Sequence, residues 1–120
     1  MSRKNDDDIR QEFEDAVNMS ASEIERWLAT KHSQNVGWTY EGEHESVGHQ
    51  SGRRIVEIKG KRADELTDED YAHMRKVTGY VHRHLAQGPQ HDIEHSRWRY
   101  SLMNWGHDPI KEMRARLRRD

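Results

Sequence analysis

LTDEDYAHMRKVTGYVHRHLAQGP, residues 66–89, reads as a helix from its cap to its stop. Thr67 stands where a side-chain oxygen accepts a free backbone N–H, and Asp70, three residues on, is placed to return the bond. Leu66 and Tyr71 occupy hydrophobic-staple positions across that start. Tyr71, Met74, Val77, Thr78, Val81 and Leu85 then follow at helical spacing along one stripe. Gly88 ends the pattern and Pro89 prevents its resumption. A helix this long must bury its stripe against other elements, so the neighbouring segments decide the fold class.

Those neighbours also read as helices. Ile9, Phe13 and Val17 recur every four residues behind Asp6, Asp7 and Asp8, whose charge suits a helix N-terminus. Ser20 and Glu23 form a second capping box, with Met19 and Ile24 as its staple and Ile24, Trp27 and Leu28 as the buried stripe. Ser51 is a possible cap for a helix carrying Ile55 and Ile58 on one face, although Gly60 weakens it and RIVEIK would also serve as a short strand. A further helix is expected from about Asp92 to Asn104, closed by Gly106. The last opens on Asp108-Pro109 and is expected to bury Ile110, Met113 and Leu117. Residues 33–50 hold no lasting period and read as a long irregular loop, with Trp38 and Tyr40 expected to pin its first half to the core. The fold class that follows is all-α: one small domain of about six helices over residues 1–120, with frayed ends.

Composition narrows the function. Hydrophobic residues make up 32% of the chain and charged ones 35%, so a thin core is expected and a partner or self-association would supplement it. The absence of cysteine removes disulfides, thiolate nucleophiles and cysteine-based zinc sites. No apolar run is long enough for a membrane span, and the N-terminus lacks a signal-peptide core, so a cytoplasmic protein is expected. Net charge is −2, which gives no global attraction to nucleic acid. Residues 1–30 nevertheless carry four basic and eight acidic side chains, against seven and five in residues 91–120, so a local basic face is possible on an acidic chain.

Nine histidines invite a metal reading. His82 and His84 fall about 200° apart on a helix and cannot grip one ion together. His91, Glu94 and His95 fit H-x-x-E-H, an inverted zinc-protease signature, which makes a metal-assisted hydrolase a remote alternative. With no third ligand in view, these histidines read better as flanking a joint between two helices. Ser51-Gly52-Arg53 could cradle a phosphate on backbone N–H groups but reads better as a helix cap. No dinucleotide, P-loop or nucleophile-elbow motif is present, so neither a catalytic residue nor a cofactor is expected.

Two other patterns can bind partners. Arg53, Arg54, Lys59, Lys61 and Arg62 crowd one segment, and Lys111, Arg114 and Arg118 line the last helix, all candidates for phosphate contact. Trp98, Tyr100 and Trp105 lie on a helix apolar on several sides, which is either central in the core or an interaction surface. Arginines interleaved with these rings resemble the mixture used for phosphate contact and base stacking, and equally arginines snorkelling over a buried helix.

AVNMSASEIERWL (16–28), SGRRIVEIKGKR (51–62), LTDEDYAHMRKVTGYVHRHLAQ (66–87) and WRYSLMNWGHDP (98–109), in this order, resemble a DUF3140-like family of small uncharacterised proteins, often labelled DNA-binding protein. The resemblance spans nearly the whole chain and implies DNA or another nucleic acid as partner, without assigning residues to the task. The first expectation is therefore a small helical accessory protein that binds nucleic acid, with no membrane partner. A protein-interaction or self-associating module is the alternative.

Overall fold

Each helix begins where a short polar side chain accepts a backbone N–H that the helix leaves free. The structure, a computed structural model, describes residues 5–89 and 91–119, for Arg119 the backbone alone. The ends expected to fray lie, at residues 1–4 and 120, outside the described residues. The elements are α1 (Asp6–Ala16), α2 (Ala21–Leu28), α3 (Lys31–Asn35), α4 (Val47–Lys59), α5 (Asp68–Leu85), α6 (Arg97–Asn104) and α7 (Pro109–Arg119), with a 3-10 turn at Ala63–Glu65. Their caps are Asn5, Ser20, Thr30, Ser46, Thr67 and Ser96, and for α7 Asp108, whose carboxylate accepts the Ile110 N–H. The capping boxes Ser20–Glu23 and Thr67–Asp70 both form. The protein is an all-α domain with no strand among the described residues.

The apolar stripes meet in one core. α1 lies along α5 and α2 along α4, while α6 packs on α2, α3, α4 and α5. Ile9, Phe13, Ile24, Leu28, Ile55, Ile58, Met74, Val77, Val81 and Leu102 are all buried there. Asn104, at the end of α6, ties three elements together. Its Oδ1 accepts the Trp27 Nε1–H (2.8 Å) and the Ser33 hydroxyl, and its Nδ2 donates to the Ser33 carbonyl (3.1 Å). The two outer connections are joined as well. Asn18 and Asp108 exchange hydrogen bonds, the Met19 N–H donates to the Gly106 carbonyl, and the buried His107 donates to the Ala16 carbonyl. Gly106 sits at φ +83°, which lets the chain reverse after α6.

Five expectations need correction. The irregular stretch is 36–46 rather than 33–50, because Thr30 and Ser46 open α3 and α4 inside it. Ser51 lies within α4, which also settles RIVEIK as helix. The helix placed from Asp92 begins at Arg97 with Ser96 as its cap, and Asp92 is instead in a turn at φ +47°. Trp38 and Tyr40 do not enter the core; they are 63% and 53% exposed and pack edge-to-face on each other. Lastly, Met113 and Leu117 are exposed, since only the first turn of α7 is anchored.

α4 explains its own concealment in the sequence. Gly48 and Gly52 fall one turn apart on the face turned to α6 and α2. A Cβ at 52 would lie 2.7 Å from the Asn104 carbonyl oxygen and 2.7 Å from a Leu28 methyl. Glycine is kept at 52, though a poor helix former, because nothing larger lets the helices approach so closely. Among the described residues no helix is long and apolar enough to cross a membrane.

Candidate nucleic-acid interface

Five of the eight cations expected to meet phosphate are already paired. Arg53 holds Glu45 through two nitrogens, Arg62 sits 3.4 Å from Asp64, and Lys111 sits 2.8 Å from Glu23. These pairs reach solvent and exchange partners at little cost. Arg54 (2.9 Å) and Lys61 (2.7 Å) are different, because both converge on Asp70, whose side chain is wholly buried. Lys59, Arg114 and Arg118 have no acidic partner among the described residues. The electrostatics agree. Hydrogen bonding from Lys61 holds the Asp70 carboxyl well below its usual range despite burial, and Lys111 with the Ser20 cap pulls Glu23 to about 2. Burial alone would raise Glu45, yet Arg53 and His49 lower it overall.

The rings expected at an interaction surface are engaged internally. Trp105 is buried, which corrects its assignment to the surface; Tyr100 packs between Trp27 and His32, and Trp98 donates its Nε1–H to the His84 carbonyl at 2.6 Å. Five rings make a ladder between α5 and α6 in the order His73, Trp105, Tyr80, His84, Trp98. Successive planes are within 18° of parallel, and the tightest step, Tyr80 to Trp105, is 4.2 Å. His84 thus does stand at the joint of two helices. His91 and His95 lie in the turn before α6, exposed, with His95 paired to Asp92, so they do not share a helix face. Among the described residues no group of three histidines or carboxylates is gathered as a metal site.

The ladder histidines give the fold a pH dependence. Burial pushes His84 below its ordinary pKa, and burial with repulsion from Arg54 and Lys76 does the same to His73. The unfolded chain then binds protons more readily, so stability is complete above about pH 6.5 and declines as acid approaches the lower folded values. The urea midpoint is expected to fall between about pH 7.5 and 5.5. In a His84→Gln variant the fall should be smaller; an undiminished fall would remove His84 from the account.

A groove that the sequence did not announce lies beside the ladder. The Val47 N–H donates to the Trp38 carbonyl (2.8 Å), closing the 38–47 loop at its base. Further ties come from Gln50 to Glu43 and from His49, which bridges Glu45 and the Leu28 carbonyl. So held, Trp38 and Tyr40 form one wall of a cavity of about 300 Å3, with Tyr80 and Trp105 on the other side and Lys76 and Arg83 among its lining. Lys76 and Arg83 are two helical turns apart on α5, with Tyr80 between them, and neither has an acidic partner among the described residues. A second concavity shares Trp38 and Ser101 with it and is lined further by Trp98 and Arg97. A third shares Tyr40 and Lys76 and is lined further by Arg54 and His73. Burial raises the Tyr80 phenol, against the opposing pull of Ser101 and Arg83. The spacing of Lys76, Tyr80 and Arg83 was readable on α5; their juxtaposition with Trp38 was not.

Residues 12–103 match a family described as "Protein of unknown function (DUF3140)", and the chain belongs to that family. Trp38, Tyr40, Lys76, Tyr80 and Arg83 all lie within the matched span. No curated protein and no solved structure matches the chain.

Proposed function

We propose that the protein is a non-catalytic nucleic-acid-binding module, and that a single strand lies along the groove between the 36–46 loop and α5. One observation carries this reading: two exposed aromatic rings and two cations with no acidic partner among the described residues line one cavity, which shares lining residues with a concavity on either side. Bases stack on aromatic faces whatever their sequence, while lysine and arginine displace counterions from phosphates. A duplex cannot present unstacked bases to Trp38, so single strands should bind in preference. The basic cluster at 53–62 becomes secondary, since four of its five charges are already met within the protein, and Arg114 and Arg118 on α7 do not line the cavity that holds the aromatic rings.

Fluorescence anisotropy with labelled single strands and duplexes, at several salt concentrations, tests the reading. If three or so phosphates are engaged, the affinity for single strands should fall with salt at a log–log slope near −2. Trp38→Ala is expected to weaken binding by about 5- to 100-fold, the usual worth of one stacked base. Reversing Lys76 and Arg83 to glutamate should weaken it further and flatten the salt slope. Reversing Arg114 and Arg118 is the comparison. If that pair matters more than Lys76 and Arg83, the strand does not run through the groove.

A further inference from the structure

We infer that the central cavity of the groove is a slot for one unstacked base and that it prefers a keto pyrimidine, uracil or thymine. The inference rests on the groove being the nucleic-acid surface and adds what the cavity selects. Its basis is a set of donors left without acceptors. Trp105 is buried and lines the cavity, yet its Nε1–H donates to no group among the described residues. Asn104 is also buried and lines the cavity; one Nδ2–H serves the Ser33 carbonyl, and the other has no acceptor. Both atoms surround the point where a Cβ on Gly48 would sit, 3.0 Å from Trp105 Nε1 and 3.5 Å from Asn104 Nδ2. The missing side chain at 48 therefore leaves two N–H groups open to the cavity. Asn104 Oδ1 is already taken by Trp27 and Ser33, so it offers the cavity little acceptor capacity.

Such a floor suits a base edge that accepts. Uracil and thymine present two carbonyl oxygens, whereas adenine presents an amino donor beside its ring nitrogens. With a carbonyl on the two N–H groups, the base plane can stack against Trp38 at the rim. Lys76 lines both this cavity and the concavity beyond Tyr40, where Arg54 and His73 stand, and would meet the adjoining phosphate. Leaving these donors unpaired when the wrong edge enters is what sets the selectivity, because a buried N–H without an acceptor is costly.

Oligothymidylate, oligouridylate and oligoadenylate of equal length are the probes, with uridine monophosphate as the smallest ligand. Oligothymidylate and oligouridylate are expected to bind about tenfold more tightly than oligoadenylate, the discrimination a well-made pair of base contacts gives. On titration with uridine monophosphate, the Trp105 indole N–H resonance should shift in the 15N–1H spectrum, with that of Trp27, bonded to Asn104, moving less. Gly48→Ala, which covers both donors, should bring the oligomers to similar affinities while the chain stays folded by circular dichroism. Equal binding of all three oligomers by the unaltered protein, with the Trp105 resonance still, overturns the slot and leaves the groove reading standing. Binding of none of them overturns the groove reading and the slot together.

Discussion

Replacing Asp70 with alanine is expected to cost about 3–4 kcal/mol, the loss typical when one partner of a buried ion pair is removed. The carboxylate is wholly buried and answers three groups at once: Arg54 from α4, Lys61 from the following connection, and the Thr67 N–H that opens α5. Its removal leaves two cations facing the space the carboxylate filled and deletes one half of a capping box. Arg54 and Lys61 keep some contact with water, which holds the loss to the lower end of the range. For a domain of ordinary stability that is a large share of the total, and the melting temperature should drop by roughly 10–20 °C. Acid titration separates the charge from the cavity. Asp70 is held below the ordinary carboxylate range, so its stabilisation is complete above about pH 4 and is lost as pH falls through the lower folded value. Glu23, at about 2, behaves the same way on a smaller scale. The acid limb of the stability curve should therefore be shallower in the variant. An unchanged limb would mean that Asp70 is not the group whose protonation unfolds the protein.

Gly52→Ala should destabilise by about 2 kcal/mol, although alanine is the better helix former by about 1 kcal/mol. The added methyl would meet the Asn104 carbonyl oxygen and Leu28 Cδ2, each at 2.7 Å. Leu28 can rotate, but the carbonyl is backbone of α6 and can yield only if the two helices separate. Separation would also strain the Asn104 bonds to Trp27 and Ser33. Gly79→Ala provides the contrast. It too lies inside a helix, yet its methyl would meet only the mobile end of Arg83, at 3.0 Å. There the helix preference prevails, and a gain of about 0.5–1 kcal/mol is expected. Urea midpoints for the two variants should move in opposite directions. The same sign for both would show that α4 and α6 approach less closely than described.

What could be read from the sequence was local. Ser20, Thr67 and Asp108-Pro109 mark helix starts because a cap acts within three residues of itself. The stripes of α1, α2 and α5 were legible because the buried side chains along each face one core. The start of α4 was not. Gly48 and Gly52 interrupt its period to serve a contact with residues some fifty positions away. The start of α6 reads too early in the sequence, near Asp92, because the turn that precedes its cap, Ser96, has no periodicity of its own to set it apart. The last helix showed a stripe of Ile110, Met113 and Leu117, but periodicity states only that a face is apolar, not that anything covers it. The cationic cluster at 53–62 looked free because its main counter-ion, Asp70, lies in a different element. For the same reason the groove stayed hidden, since residues 37–48, 76–83 and 101–105 supply its walls.

The loop that carries Trp38 and Tyr40 is firm at its base, and its tip is a turn closed by the Glu43 N–H on the Tyr40 carbonyl and tied to α4, among the described residues, only through Gln50. The Ser46 cap and the Val47–Trp38 bond fix where it leaves and returns, while a Cβ on Gly42 would meet nothing. Lengthening a loop whose ends are already held is cheap, about 0.6 kcal/mol for each doubling. Insertions beside Glu41 and exchanges of Glu41 or His44 should thus leave the helices undisturbed while altering what stands over the cavity, whereas Gly42, at φ +85°, is held to glycine by its backbone. If the groove holds a strand as proposed, the protein has, in effect, an exchangeable lip on a permanent vessel, and preference could drift there by small steps, each tolerated before it is useful.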